Sequence, residues 1–138
     1  MSYYDCEEFI KRLNENDLVK AKRLKFRLPT KDEWQTMRGE NQDPSTIGDY
    51  AWTWENSNCE THGVAQKKVN KHGLYDVFGN VAEWCSGDGR DYRFCYGGSY
   101  LVGGESASFD QFRDDFEDCY STKTCSSTIG LRLVAFKI

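Results

Sequence analysis

The sequence of 138 residues lacks the features that mark several large classes of protein. It has no apolar run near the roughly 20 residues that a membrane helix needs, and Met1 to Glu8 is neither basic nor apolar enough for a secretory signal. It also has no G-x-S-x-G, H-E-x-x-H or phosphate-binding loop. We therefore expect synthesis in the cytosol and no membrane insertion, with the final location, a virion included, left open.

A strong excess of positive charge is also missing. The net charge is -4, from 18 basic and 22 acidic side chains. The densest basic run, from Lys20 to Arg27, is compatible with a phosphate-binding stripe, but it is also typical of the solvated side of a helix-to-strand connection. We expect no nucleic-acid partner.

None of the cysteines has the C-x-x-C spacing of a zinc or redox site. Six are present, at positions 6, 59, 85, 95, 119 and 125. Without a secretory signal the expectation is reduced thiols, although Cys119 and Cys125 are near enough in sequence to close a short loop in an oxidising compartment.

What the sequence does have is abundant aromatic residues, 14% of the chain, and short apolar patterns. Apolar residues at helical spacing predict a helix from about Tyr3 to Asn14, and Thr30 with Glu33 forms a capping box for a second helix that Gly39 ends. Alternation predicts strands at Leu24 to Leu28 and Ile129 to Ile138. A loop from Gly39 to Val69, pinned by Trp52 and Trp54, separates these helices from short strands, so we expect an α+β fold of two helices plus short antiparallel strands and long irregular loops.

Four sequence blocks resemble, in order, the signatures of the formylglycine-generating-enzyme, or sulfatase-modifying-factor, family. They are Phe26-Arg27-Leu28-Pro29-Thr30-Lys31-Asp32-Glu33-Trp34, Asn70 to Trp84, Gly97-Gly98-Ser99-Tyr100 and Gly130-Leu131-Arg132-Leu133. The resemblance spans about 110 residues and implies one C-type-lectin-like domain over residues 1–138. On the last strand, Arg132 is placed to pair with Glu33 or Glu83.

The same resemblance indicates which residues would bind a catalytic metal ion if the chain were an enzyme. The family's enzymes hold copper between two thiolates after the G-G-S-Y block, and these positions are Val102 and Ala107 here. Hydrocarbon side chains cannot ligate Cu(I), and two histidines, His62 and His72, are too few for the iron site of some relatives. The expectation is therefore no catalytic residue and no cofactor, with calcium near Asn80 and Glu83 left open.

A domain of this fold without the cysteines resembles the variable proteins of diversity-generating retroelements. In those proteins mutation at adenines diversifies a C-terminal segment toward residues such as Tyr, Ser, Asp, Phe and Gly, and excludes Lys, Glu, Gln, Met and Trp. Between Ser86 and Thr128 the excluded types occur only as Glu105, Gln111, Glu117 and Lys123. Asn, the unmutated template residue, is absent from this stretch, and a paratope rich in Tyr, Ser and Gly has the same composition for physical reasons.

These observations predict a non-enzymatic domain that binds a protein or glycan ligand through C-terminal residues. The candidates are Tyr100, Val102, Ser106, Ser108, Phe109, Asp110, Phe112, Asp114, Phe116, Asp118 and Tyr120. Tyr100, Asp110 and Tyr120 are expected on the surface, whereas the helical spacing of Phe109, Phe112 and Phe116 fits a core position equally well. Two alternatives stay open: a metal-dependent oxidase like those of the family, and a structural subunit of a phage or surface assembly.

Overall fold

The computed structural model describes residues 1–39, 43, 45–89, 91–103 and 118–138. In chain order the elements are α1 (Tyr3–Glu15), α2 (Asp17–Ala21), β1 (Leu24–Arg27), α3 (Lys31–Arg38), α4 (Ile47–Tyr50), β2 (Ala82–Trp84), β3 (Tyr92–Tyr96), β4 (Asp118–Ser121), β5 (Ile129–Gly130) and β6 (Val134–Lys137). The two predicted helices are confirmed as α1 and α3. Two helices of five and four residues, α2 and α4, were not predicted.

Side-chain caps at the helix N-termini explain why the two longer helices could be predicted from the sequence. Ser2 accepts a hydrogen bond from the Asp5 amide and Thr30 accepts one from the Glu33 amide, and both acidic side chains bond back to the cap backbone. Each capping box satisfies two N–H groups that a helix start would otherwise leave unpaired. Gly39 ends α3 with a positive φ of 82°.

The strands form two sheets. β1 pairs with β6 antiparallel, and the second sheet has the order β4-β3-β2-β5. The β1–β6, β2–β3 and β3–β4 pairs are antiparallel, as expected, whereas β2 and β5 run parallel. The predicted final strand is also divided, since residues 131–133 separate β5, which joins the larger sheet, from β6, which joins the smaller one.

Two groups of buried side chains hold these sheets against the helices. One joins Trp34 of α3 to Phe78, Tyr96 and Val102. The other joins Tyr3 and Cys6 of α1 to Trp84, Cys95 and Ile129, among others. Within them Trp34 stacks on Tyr96 at a centroid distance of 5.3 Å, and Tyr3 meets Trp84 edge-on at 5.7 Å. Such aromatic pairs add to the free energy gained by burying the rings.

The long connection after α3 is fixed by one tryptophan rather than two. Trp52 stacks on His62 at 3.7 Å and has Lys67 Nζ 4.1 Å from its ring centroid. Trp54 is exposed, so the prediction that it pins the loop is wrong. Within the described ranges no helix is long and apolar enough to cross a membrane.

The basic run of the sequence lies where α2 connects to β1. Lys20, Lys22, Arg23 and Lys25 are exposed there, which agrees with the interpretation as a solvated connection. Arg27 instead forms a bidentate ion pair with Glu33, at 2.6 and 2.7 Å.

Candidate binding face

Most of the predicted binding residues lie outside the described part of the chain. These seven are Ser106, Ser108, Phe109, Asp110, Phe112, Asp114 and Phe116. Ala107, at one of the two positions of the family's copper-binding cysteines, also lies outside the described residues. The described chain stops at Gly103 and resumes at Asp118, the first residue of β4.

Tyr100 and Val102 are core residues. The Tyr100 side chain is 7% exposed, and its hydroxyl lies 3.1 Å from the Ser127 hydroxyl. Val102 is buried in the same group as Trp34 and Cys85. The prediction that Tyr100 lies on the surface is therefore wrong, and neither side chain can touch a ligand in this conformation.

Asp118 and Tyr120 lie on the inner side of β4. They pair with Cys95 and Arg93 of β3, and the Tyr120 ring meets Trp84 edge-on at 6.2 Å. Burial raises the pKa of both Asp118 and Tyr120, and a hydrogen bond between the two side chains acts against the shift of Asp118. Both side chains are half-buried, so the expected surface position of Tyr120 is only partly realised.

The outer side of the same two strands carries exposed rings that the sequence argument missed. Tyr92 is 62% and Phe94 43% exposed, and Phe94 stands directly opposite the exposed Cys119 on β4. We call Tyr92, Phe94 and Cys119 the β3–β4 face. The sequence signal for this face was the alternation along β3, with Tyr92, Phe94 and Tyr96 on one set of positions and Arg93 and Cys95 on the other. It did not identify the exposed side, because both sets contain apolar residues.

A second pair of exposed apolar residues lies where the described chain stops. The Trp54 amide donates to the Val102 carbonyl at 2.9 Å, which brings Trp54 beside the stretch that contains Leu101. Both the Trp54 and Leu101 side chains are exposed. Exposed apolar groups therefore adjoin residues 104–117 at both ends, on backbone that hydrogen bonds hold in place.

A buried ion pair supports the centre of the fold. Glu83 accepts from Arg132 Nε at 3.0 and 3.1 Å and from Arg132 Nη2 at 2.7 Å, and the Trp34 indole donates to it at 2.9 Å. Of the two predicted partners, Arg132 pairs with Glu83, whereas Glu33 pairs with Arg27. Burial raises the pKa of Glu83, and the guanidinium and the indole act against that shift.

The two residues left open for calcium are already engaged. The Asn80 side chain exchanges two hydrogen bonds with the His62 backbone, at 3.0 and 3.1 Å, and both Glu83 oxygens face Arg132. Beside them is an open cleft of about 390 Å³, lined among others by Leu74, Asp76 and Arg132. Among the residues that the structure describes, no group of three His, Cys, Asp or Glu side chains is placed to hold a metal ion.

All six thiols are free, and the buried ones are poorly suited to chemistry. Burial raises the pKa of Cys6 to about 11 and raises the pKa values of Cys85 and Cys95 further. Because the thiolate is the reactive and metal-binding form, these three side chains serve as small apolar core residues. The exposed thiols are Cys59, Cys119 and Cys125.

Residues 1–137 match the family described as the sulfatase-modifying factor enzyme 1-like domain. The chain belongs to this family. Its fold is the C-type-lectin-like fold of that family, as the sequence blocks predict.

Three solved structures are similar to the chain. Treponema denticola variable protein 1 has a TM-score of 0.67 and 31% identity over 82% of this chain and 48% of its own. CarF has a TM-score of 0.67 and 24% identity over 100% of this chain and 66% of its own, and PvdO from Pseudomonas aeruginosa has 0.75 and 18% over 100% and 60%. The last two support the fold alone.

A curated relative is the chaperone protein LppX of Paenibacillus barcinonensis, which is 34% identical over 44% of this chain and 30% of its own length. The chain thus spans between 30% and 66% of the length of these four proteins.

Proposed function

We propose that this chain is a single non-enzymatic domain that binds a protein or glycan ligand. The contact surface consists of the β3–β4 face together with the sequence-predicted candidates between Ser106 and Phe116. Tyr100 and Val102 are left out of this surface because they are buried. Asp118 and Tyr120 support it from the inner side of β4.

The observation that carries the proposal is the exposure of Tyr92 and Phe94 on a strand that is hydrogen-bonded on both sides, to β2 and to β4. Rigid aromatic side chains are common anchors in protein interfaces, because they bury a large area and lose little conformational entropy on binding. Two exposed rings on the same face of one strand form a larger apolar patch than a single surface ring does.

The finer proposal is that the ligand-binding residues were diversified by a retroelement. It is supported by the similarity to Treponema denticola variable protein 1 and by the scarcity of Lys, Glu, Gln, Met and Trp between Ser86 and Thr128. The test is the genomic neighbourhood. A reverse-transcriptase gene and a near-copy of the coding region for Tyr100 to Leu131 beside this gene would support it, and sulfatase genes in their place would contradict it.

Binding is tested by probing the purified chain against a glycan array and an array of purified surface proteins. In the double variant Tyr92→Ser/Phe94→Ser, the signal for any ligand found should fall by at least about tenfold, since two anchor rings are lost. The matched control is Tyr4→Ser/Phe9→Ser, which removes two rings of similar exposure, 49% and 46%, from α1. Equal binding by both double variants would contradict the proposed face.

The second candidate function is a metal-dependent oxidase, and family membership favours it. One observation counts against the oxidase. The resemblance places a copper-binding cysteine at position 102, where this chain has a valine whose side chain is buried in the core. Metal analysis of protein purified after copper and iron supplementation decides between the two functions. A stoichiometric metal content would replace the binding proposal with the oxidase.

A further inference from the structure

The small β1–β6 sheet has one edge that is covered by a side chain. Asn14, at the end of α1, donates from Nδ2 to the Phe26 carbonyl at 2.9 Å and accepts from the Phe26 amide at 2.8 Å. The primary amide thus takes the place of a neighbouring strand. Edge strands that keep free N–H and C=O groups tend to pair with other chains, so Asn14 closes the β1 edge.

The opposite edge, along β6, is open. The Ile138 amide donates to the Arg23 carbonyl at 3.0 Å, so these two residues form a hydrogen-bonded pair. Bonded and non-bonded pairs alternate along an antiparallel ladder, and the register therefore places Ala135 and Lys137 in non-bonded pairs with β1. Their N–H and C=O groups point away from β1. No residue in the described part of the chain hydrogen-bonds to these groups.

The side chains of β6 alternate between the two faces of the sheet. Val134, Phe136 and Ile138 share one face, and a cleft of about 340 Å³ lies there between Val134 and Met37 of α3. Phe136 and Ile138 are 40% and 57% exposed. This face thus has an apolar cleft at one end of the strand and an exposed apolar side chain at the other end.

A second copy of β6, running antiparallel and centred on Phe136, matches this edge. In that register Ala135 of each copy stands opposite Lys137 of the other copy, so all the outward main-chain groups are used in four hydrogen bonds. Phe136 meets its own counterpart in a non-bonded pair, where side chains across two strands are closest. Ile138 stands opposite Val134 of the other copy, at the mouth of the cleft.

This register keeps like charges from standing directly opposite each other. Lysine on an edge strand commonly discourages pairing, but Lys137 here faces Ala135. The two Lys137 residues are diagonal neighbours, about 7 to 8 Å apart, and their exposed side chains extend into solvent. Lys25, on the other face, is three strand spacings or about 14 Å from its counterpart, which exceeds the Debye length of about 8 Å at physiological ionic strength.

The Val134 end of the edge is acidic. Asp32 and Glu33 line the cleft there. Arg27 neutralises Glu33 in a bidentate pair, whereas Asp32 is exposed and has no ion pair in the part of the chain that the structure describes. Lys31, the next cation in sequence, is not among the described residues that line the cleft. Asp32 therefore gives this end an unpaired negative charge.

The Ile138 end of the edge is basic. Lys22 and Arg23 are exposed there, and neither has an acidic partner among the described residues. In the 138-residue chain the Ile138 carboxylate adds one negative charge, which leaves this end net positive. Antiparallel pairing about Phe136 brings the acidic end of each copy to the basic end of the other. The charges are thus complementary twice over, as a two-fold contact requires.

We propose that two copies of this chain associate through β6, paired antiparallel about Phe136, so that their small sheets join into one sheet of four strands. The contact is one short strand from each copy, well below the area of a permanent dimer. We therefore expect a weak dimer, with a dissociation constant on the order of 100 μM. The contact does not use the β3–β4 face.

Sedimentation equilibrium of the full chain under reducing conditions measures this association. Between about 10 μM and about 1 mM protein the weight-average mass should rise from near the monomer value toward twice that value; the monomer mass is 16.0 kDa. Over the same range, NMR of the isotope-labelled chain should show growing hydrogen-exchange protection of the Ala135 and Lys137 amides.

Two variants at the strand itself locate the contact. Phe136→Glu sets two carboxylates opposite each other in place of two rings and should weaken the dimer by at least about tenfold. Phe9→Glu on α1 is the matched control, because Phe9 is 46% and Phe136 40% exposed, and it should dimerise as the parent does. Ala135→Pro removes an outward N–H and should weaken the dimer about tenfold, whereas Ala135→Ser keeps the N–H and should not.

A charge exchange tests the two-fold arrangement. Asp32→Lys alone and Arg23→Glu alone each place like charges together twice in a homodimer, and each should weaken it about threefold. An equimolar mixture of the two variants places opposite charges together twice and should recover the affinity of the parent. Asp32→Lys mixed with Lys123→Glu, a reversal on the exposed turn after β4, should not recover it.

A monomer mass at every concentration would overturn the proposal and leave the β6 edge to a different protein. A dimer that Phe136→Glu leaves intact would overturn it as well. Loss of the dimer in Tyr92→Ser/Phe94→Ser would assign self-association to the β3–β4 face instead. Because these measurements use no ligand, failure of the proposed ligand-binding function would not change their outcome.

Discussion

The carboxylate of Glu83 and the guanidinium of Arg132 meet in a buried, bidentate ion pair that joins β2 to the segment between β5 and β6. Arg132 also donates to the Tyr75 carbonyl at 2.8 Å, so one side chain ties three parts of the chain together. Removing one partner leaves an uncompensated charge in the core. That cost exceeds the net contribution of the pair itself.

Arg132→Met should therefore lower the free energy of unfolding by about 3 to 5 kcal/mol. The double variant Glu83→Gln/Arg132→Met should lose less, because it leaves no buried charge. Urea denaturation measures both. Arg12→Met, which breaks the exposed pair with Glu8, is the control and should cost less than about 1 kcal/mol; equal losses for the two arginine variants would contradict the description of a buried pair.

The Arg27–Glu33 pair should make stability depend on pH. Arg27 and the Thr30 backbone lower the pKa of Glu33 from 4.5 to about 2. The sign follows from linkage: the stabilisation is present above the unfolded-state value and is lost as the pH falls from about 4.5 through about 2. Because both side chains are partly exposed, we expect about 1 kcal/mol at neutral pH.

Glu33→Gln tests this dependence, since glutamine can still close the capping box. The difference in unfolding free energy between the parent and the variant should shrink as the pH is lowered through that window. A difference that stays constant with pH would mean that the charge of Glu33 contributes nothing.

The placement of Tyr100 leads to a prediction opposite to that for Tyr92. Tyr100→Ala should cost about 3 to 5 kcal/mol, as truncation of a buried ring does. Tyr92→Ala should stay within about 0.5 kcal/mol of the parent, because its side chain is mostly solvated. Thermal and urea unfolding give both values. A small effect of Tyr100→Ala would mean that the Tyr100 side chain is exposed rather than buried.

The sequence predicted the parts of the fold that depend on neighbours along the chain. The capping boxes at Ser2 and Thr30 and the alternation over β1 are local signals, and the structure contains the corresponding elements. Tyr100 was misplaced because the groups that hold it lie far along the chain: Asn80 accepts from its amide, and the Ser127 hydroxyl lies 3.1 Å from its own hydroxyl. The parallel β2–β5 pair and the exposure of Trp54 likewise depend on distant parts of the chain, and no local pattern records them.

Two glycines with positive φ should respond differently to alanine. At Gly79, with φ 67°, an added Cβ would overlap the Trp52 carbonyl oxygen, which belongs to backbone that cannot easily move. At Gly73, with φ 78°, a Cβ would meet nothing within 4 Å. Gly73→Ala should cost about 1 to 2 kcal/mol for the strained φ alone, and Gly79→Ala should cost clearly more in urea denaturation. Equal costs would show that the approach of Trp52 to Gly79 is not tight.

The thiols should divide into two classes toward an aromatic disulfide reagent. Cys59, Cys119 and Cys125 are exposed and should react quickly in the native protein. Cys6, Cys85 and Cys95 are buried and have raised pKa values, so little thiolate forms at neutral pH. These three thiols should react only at the rate of unfolding. Denaturation in guanidinium should make all six thiols reactive. If mass spectrometry found rapid labelling of Cys85 in the native state, its place in the core beside Val102 would be wrong, and with it the structural argument against a thiolate metal site.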